Sequence, residues 1–213
     1  MSMIPDKAPE GAQKALIDAA LDLFGTKGFD ATSTRELAGR AGVNVALIAY
    51  HFGGKDGLRQ AVVGEIARRM TLVAGVPEVP SGLSAEQALA RLQMIMRQIV
   101  GFLVGAREAE PLVNFMLHEL AQGGPMTEVI YQRFVGPKHA ELSALWTLAS
   151  GRAVGSDQVK LSIFAMIGQV IYFRLGREMV TRKMGWSAMG PDEVRQIGEL
   201  IAENVRLMTQ GAK

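Results

Sequence analysis

The chain has 213 residues, 48% hydrophobic and 21% charged, and contains no cysteine. That describes a globular protein long enough to bury a substantial core, and it excludes disulfide scaffolds and thiolate chemistry. The formal net charge is +2, yet the first 57 residues hold six Lys/Arg against seven Asp/Glu, so any role with nucleic acid must rest on placement, not bulk charge. The N-terminal run MSMIPDKAPEGAQKA lacks the apolar centre of a signal peptide. The longest uncharged stretch of the most hydrophobic region, Leu161 to Phe173, falls short of the roughly 18 residues that a membrane span needs. A soluble, cytoplasmic protein is expected, with no membrane partner.

In chain order, apolar residues first recur at Ala12, Leu16, Ala19, Ala20, Leu23 and Phe24, the stripe of an amphipathic helix that Gly28 stops. In ATSTRELAGRAG, Ser33 and Glu36 have capping-box spacing, which predicts a short helix from Thr34 to Ala41. Gly42 suits the left-handed backbone just past its end, and Asn44 is a good N-cap for the next helix. For GVNVALIAYHF, strand alternation segregates nothing, whereas helical spacing puts Ile48 and Phe52 inward and turns Val45, Ala46, Ala49 and Tyr50 outward or sideways. A long helix, a short capped helix, a glycine turn and a further short helix make a helix-turn-helix.

TSTRELAGRAGVNVALIAYHFGGKDGL resembles the DNA-binding signature of the TetR family of bacterial transcriptional regulators. The shared features are a Thr-x-Arg-x-Leu-Ala-x-x-Ala-Gly-Val run, a short helix ending His-Phe, and Lys-x-x-Leu opening the next helix. Many members carry an aromatic residue two positions before the histidine; this chain has Ala49 there, with Tyr50 immediately before His51. The resemblance implies base-facing positions at Val45, Ala46 and Leu47, with Asn44 at the edge. The first three cannot make bidentate hydrogen bonds but can pack on thymine methyl groups. Arg35 is the candidate for reading a guanine, and Thr34, Tyr50, His51 and Lys55 are candidates for phosphate contacts.

Beyond the reading region, PEVPSGLS at Pro77 to Ser84 is the clearest loop, and Ser84 and Gln87 again have capping-box spacing. Helices are predicted at Lys55–Gly75, Glu86–Val104, Glu108–Gln122, Met126–Val135, Pro137–Ser150, Asp157–Lys183 and Pro191–Thr209. Pro191, Asp192 and Glu193 form a favourable helix opening, with proline in the first turn and acids at the positive end of the dipole. The predicted class is all-α: a three-helix helix-turn-helix domain over residues 1–57 plus a larger helical effector-binding and dimerisation domain over 58–213, about nine helices.

Within 157–183, Ile163, Ile167, Ile171, Leu175 and Met179 form one line, Phe164, Val170 and Phe173 widen it, and Gly168 permits close approach. In 191–209, Val194, Ile197, Ile201, Val205 and Met208 form a packing seam. The resemblance implies that these two helices pair with their copies in a homodimer, placing two reading helices on a pseudo-palindromic operator in double-stranded DNA. Packing inside one subunit is the alternative.

The middle helices have the make-up of a small-molecule receptor. Met94, Gln98, Phe102, Phe115, Met116, His118, Glu119, Phe134, Trp146, Gln169, Tyr172 and Phe173 combine flexible thioethers and aromatic rings with a few polar groups. His118, Gln169 and Tyr172 stand out because burying them unpartnered is costly. YQRFVGPKHAELSALW and IGQVIYFRLGREMVTRKMGW are similar to the regulatory domain of the CecR-like branch of the family.

Catalysis finds little footing. HELAQ begins like the H-E-x-x-H zinc signature, but Gln122 stands where the second imidazole is needed. Nucleophile-elbow, P-loop and dinucleotide-binding signatures are absent, so no catalytic residues, metal or cofactor are expected. The expectation is a ligand-responsive DNA-binding regulator, a repressor released by a small amphiphilic effector. The alternative is a helical small-molecule-binding or interaction protein that does not regulate transcription.

Overall fold

The structure, a computed structural model, describes residues 10–210, so most of the N-terminal run above lies outside the described residues. The described residues are helical, with no strand among them. The elements are α1 (Gly11–Lys27), α2 (Thr34–Ala41), α3 (Ala46–Phe52), α4 (Lys55–Ala74), α5 (Ala85–Val100), α6 (Ala109–Gln122), α7 (Pro125–Ile130), α8 (Gly136–Ser150), α9 (Asp157–Leu175), α10 (Arg177–Met184) and α11 (Pro191–Gln210). A π-helical turn, Gly101–Gly105, continues α5, and another, Tyr131–Val135, joins α7 to α8.

Two compact units result. One comprises residues up to Met70 together with Glu108–Gly136; the other comprises Thr71–Arg107 and Pro137 onward. The division falls inside α4.

In the first unit α1 is buried on more than the expected stripe: Ile17 and Leu21 join Leu16, Ala19, Ala20, Leu23 and Phe24 in the core. The reason is α6, which packs on α1 in addition to α2. Gly25 makes that approach possible, since a Cβ there would stand 2.8 Å from the Pro111 carbonyl oxygen. Phe24 meets Phe115 of α6 at a centroid distance of 6.3 Å.

Polar ties fix α4 within this unit. Glu65, buried, accepts from Arg68 (2.7 Å) and Arg69 (2.8 Å), and Arg69 also bridges to Asp18 on α1 at 2.7 Å. Arg59 Nε donates to Glu119 Oε1 of α6 at 3.0 Å, and its Nη2 closes the second arm of a bidentate pair on Oε2.

In the second unit α5 packs on α11. Arg97 grips Glu199 through two bonds of 2.9 Å, holding the Glu199 carboxyl below its ordinary range, and the Gln93 amide donates to the Ala202 carbonyl at 2.9 Å. The run Ala85–Gly105 is long and apolar enough to cross a membrane by length and composition. It carries Arg91 and Arg97, however, and six of its side chains from Ala88 to Val100 are buried.

The helix predicted over 157–183 is two. It bends by 77° at Gly176, whose carbonyl accepts from Val180 N–H as α10 begins, while Arg177 turns its guanidinium onto the Val104 carbonyl. The expected line is broken accordingly. Ile163 is buried, Ile167 and Ile171 are half-buried, and Met179 lies past the bend. The face left exposed on α9 is Leu161, Phe164, Ala165, Gly168, Tyr172 and Leu175. The seam predicted on α11 holds better: Ile197, Ile201 and Val205 are buried, with Val194 and Met208 half-buried.

Burial acts to raise the Glu65 carboxyl, but the hydrogen bonds from Arg68 and Arg69 outweigh it and hold the group below 4.5. A depressed carboxylate stabilises the fold above its ordinary value, and the contribution fades as pH falls through the lower folded-state value. Glu65→Gln should therefore lower Tm at pH 7 by roughly 5 °C, corresponding to about 2 kcal/mol for removing one partner of a largely buried ion network. Thermal denaturation followed by circular dichroism should show the gap between variant and parent closing as pH drops well below 4.5.

Candidate nucleic-acid interface

The turn between α2 and α3 follows from caps and one glycine. Ser33 Oγ accepts from the Glu36 N–H at 3.2 Å, opening α2 as predicted. The Glu36 carboxyl is held below its ordinary range, first by a hydrogen bond from Lys27, with the Ser33 backbone adding to the effect. Gly42 closes α2 in the left-handed region at φ 67°. Asn44 then caps α3: its Oδ1 accepts from Ala46 N–H at 2.9 Å and its carbonyl from Leu47 N–H at 3.0 Å.

Ile48 is the buried residue of α3, at 2% exposure. Phe52, expected in the core beside it, is only half-buried, because it is the last residue of the helix and sits against the Gly53-Gly54 turn into α4. At about 100° per residue, Ala46 and Tyr50 lie roughly 160° around the cylinder from Ile48 and are i, i+4 neighbours on its outer face. Tyr50 is 80% exposed, Val45, Ala46 and Ala49 are exposed, and Leu47 is half-buried. The outward face of α3 is thus apolar with one aromatic hydroxyl, flanked by the exposed amide of Asn44.

Charge is sparse around it. Lys14 pairs with Asp18, Lys27 with Glu36, Arg40 with Asp22 at 2.7 Å, and Arg59 with Glu119. Arg35, exposed on the first turn of α2, makes no hydrogen bond or ion pair among the described residues. Lys55 stands with its ammonium 4.1 Å over the ring of Phe29, a position that steers the charge without neutralising it. Thr34 is half-buried at the start of α2. His51, also half-buried, lies edge-on to Tyr50 with centroids 4.8 Å apart, and the Gln13 amide donates to its Nδ1 at 3.4 Å. All nine DNA-binding candidates therefore come from α2, the turn before α3, α3 itself and the opening of α4, within one unit. Phe29 and Gln13, which position Lys55 and His51, were not legible: their partners are 26 and 38 residues away, so spacing carries no trace of them.

The effector-binding candidates divide between the units. Phe115, His118, Glu119 and Phe134 fall in the first, and Met94, Gln98, Phe102, Trp146, Gln169, Tyr172 and Phe173 in the second. In the first, Glu119 is 1% exposed and takes the Arg59 pair, while His118 packs over Gly28 and accepts from the Gln122 amide at 3.0 Å. Phe115 is fully buried against Phe24, and Phe134 is half-buried. In the second, Trp146 is fully buried with its Nε1–H unpartnered, and Gln169 Oε1 accepts from Asn204 at 2.9 Å. Met94, Gln98 and Tyr172 are exposed, and Phe102 and Phe173 are half-buried.

The fold and this turn define a helix-turn-helix DNA-binding transcription regulator. Residues 16–62 match the profile of bacterial regulatory proteins of the tetR family, and residues 88–212 match the C-terminal domain of the HTH-type transcriptional dual regulator CecR. The chain belongs to the TetR family, with a CecR-type C-terminal domain. It is 30% identical to the HTH-type transcriptional dual regulator CecR of Shigella flexneri over 212 residues, covering 95% of this chain and 93% of that protein. It is 41% identical over 76 residues to the probable HTH-type transcriptional regulator YttP of Bacillus subtilis (strain 168), covering 35% of this chain and 37% of that one. The solved structure of AibR in complex with isovaleryl coenzyme A and operator DNA has the same fold, with a TM-score of 0.64 at 20% identity over 93% of this chain and 97% of that one.

Arg35→Ala and Lys55→Ala should fail differently. The first should relax preference at one base position, costing about 1–3 kcal/mol there; the second should weaken all sequences alike and lower the slope of log K against log salt by about one. Fluorescence anisotropy on a panel of single-base operator variants at several salt concentrations separates the two patterns.

Proposed function

We propose that the protein is a ligand-responsive repressor that binds a pseudo-palindromic operator as a homodimer and is released by a small amphiphilic effector. In this reading residues 1–57 are the DNA-binding part and 58–213 the effector-binding and dimerisation part, working as a binding protein in the cytoplasm without catalysis. The observation that carries it is the outward face of α3, where Val45, Ala46 and Tyr50 are exposed opposite the buried Ile48. Val45, Ala46 and Leu47 take thymine methyls, Arg35 takes a guanine, and Thr34, Tyr50, His51 and Lys55 hold phosphates.

Support for the dimer comes from the exposed apolar face of α9, Leu161, Phe164, Gly168, Tyr172 and Leu175, together with Leu200 and Leu207 on α11. Contiguous exposed apolar surface of this kind marks an interaction site. Support for an effector comes from AibR, a protein of the same fold whose structure holds isovaleryl coenzyme A and operator DNA together. Derepression is then a population shift, and an effector needs about 5 kcal/mol of preference for the DNA-incompetent conformer to switch the protein strongly. The rival reading, a helical binding protein without a role in transcription, draws on the internal pairing of Lys14, Lys27, Arg40 and Arg59, which leaves few cations for phosphates.

Selection from a random duplex pool should yield a sequence with thymines under α3. Replacing them by uracil removes only the methyl groups and should weaken binding measurably. Equal affinity for the selected duplex and its scrambled version at matched salt would leave the rival reading standing.

The dimer has its own test in Gly168, where an added Cβ meets nothing within 4 Å in the single chain. Gly168→Arg should leave the monomer folded but obstruct a facing copy. Sedimentation velocity should show a monomer, and operator affinity should fall by at least tenfold.

A further inference from the structure

The turn between α1 and α2 is built to hold one aromatic ring in place. Gly28 leaves α1 at φ 84°, and a Cβ there would collide with the imidazole of His118, so glycine lets the backbone pass this close to α6. Thr32, 1% exposed, ties the turn twice: its hydroxyl donates to the Gly28 carbonyl at 2.8 Å and its N–H to the Phe29 carbonyl at 3.1 Å. The Phe29 ring rests against Phe24, with centroids 5.2 Å apart and planes at 60°. Backbone and ring neighbour together fix where Phe29 stands.

Two cations of α4 stand over that ring. Lys55 Nζ and Arg59 Cζ each lie 4.1 Å from its centroid. One turn apart on a helix, two like charges repel, and here the negative π face of the ring attracts both. Glu119 neutralises Arg59 through its bidentate pair, whereas Lys55 has no ion pair among the described residues. Lys55 is thus the member of the group that keeps its charge available.

An unrestrained lysine side chain spreads over many rotamers, and ordering it against a phosphate costs entropy. A ring contact made before DNA arrives removes part of that cost, and it occupies one side of an ammonium that has three N–H donors. We propose that Phe29 is a positioning residue for DNA affinity: its ring holds the Lys55 ammonium ready for a backbone phosphate, and does so through its π face, not its bulk. The inference rests on the reading of Lys55 as a phosphate contact.

The test compares the full-length protein with Phe29→Leu, which keeps apolar bulk without a π face, with Phe29→Tyr, which keeps both, and with Lys55→Ala alone and combined with Phe29→Leu. Affinity for the selected operator and for its scrambled version is read across a salt series, and the Lys55 Hε proton shifts are read by NMR. Phe29→Leu should weaken binding to both duplexes about three-fold, the size of effect that an exposed cation–π contact allows. The salt slope should stay as in the parent, because the phosphate is still neutralised. The Lys55 Hε signals, held upfield by the ring in the parent, should move to their ordinary positions. Phe29→Tyr should restore affinity and shifts. In the Lys55→Ala background Phe29→Leu should add nothing, since the ring has no ammonium to place and Arg59 is held by Glu119 in either case. Should Phe29→Leu fail to fold, a trifluorinated phenylalanine at the same position keeps the shape, drains the negative face and should reproduce the weakening.

Parental or tighter binding by Phe29→Leu, or an equal loss in the Lys55→Ala background, would overturn the proposal and leave the ring a packing feature. Lys55→Ala with parental affinity and slope is a different result: it takes Lys55 off the phosphates and removes the reading on which the inference stands. A parent protein that does not distinguish its selected duplex from the scrambled one sinks the regulator reading alone. A phosphate contact carries no sequence information, so the effect of Phe29 is still read on either duplex.

Discussion

A helix of seven residues does not hold its shape in water, because nucleation costs more than so few hydrogen bonds return. Helix α3 must therefore be held from outside, and Ile48 is the one residue of it that is buried. Everything about the reading surface depends on that docking. With Ile48 inward, helical geometry leaves Ala46 and Tyr50 facing solvent, and the caps from Asn44 at one end and Gly53 at the other fix where the helix starts and stops. A small apolar anchor on a short element also explains why the surrounding core is heavy. Leu16, Ala20, Phe24, Leu37 and Leu58 are buried on α1, α2 and α4, so the rigidity that α3 lacks is supplied by its neighbours.

The same unit resolves the conflict between an apolar reading helix and a polyanionic partner. Phosphate neutralisation gives affinity without sequence information, whereas contacts in the major groove give information at lower affinity. The first unit pairs Lys14, Lys27, Arg40 and Arg59 with its own carboxylates, which leaves few cations there for neutralising phosphates. Among the described cations of α1 to α4, Arg35 and Lys55 are the exceptions, one without an ion-pair partner among the described residues and the other resting on the face of Phe29. A cation over an aromatic ring keeps its charge while losing rotamer freedom, which lowers the entropic cost of placing it against a phosphate.

Much of this was legible in the sequence because it is local. Ser33 Oγ on the Glu36 N–H, the capping box of Ser84 and Gln87, Gly42 after α2 and Pro191 in the first turn of α11 all act within one or two turns, at the positions expected. What was not legible depends on distant partners. The recruitment of α6 to α1 turns on Gly25 meeting the Pro111 backbone, and nothing in the periodicity of either helix announces it. The bend at Gly176 hides in a run whose apolar residues keep a single period on both sides, so pattern alone reads one helix where Arg177 has turned away to the Val104 carbonyl. Phe52 was assigned by its wheel position, which takes no account of a helix ending at that residue. Among the effector candidates, Glu119 shows the limit of composition most plainly. A carboxylate on an apolar helix reads as an orienting group for a ligand, yet its partner is Arg59, 60 positions earlier.

Helix α4 combines length with anchors of a particular kind. A helix held only by apolar packing can slide or rotate between neighbouring arrangements at modest cost, since hydrophobic contact is not directional. Bidentate and multi-acceptor bonds are directional: Arg59 on Glu119, Arg69 on Asp18 and Lys138 on the carbonyls of Ala74 and Gly75 each specify an angle as well as a distance. They add little net stability, because the desolvation they require offsets most of the attraction, but breaking one partner of a buried pair costs several kcal/mol. Each tie therefore holds the helix against rotations and slides that apolar packing alone would permit at modest cost.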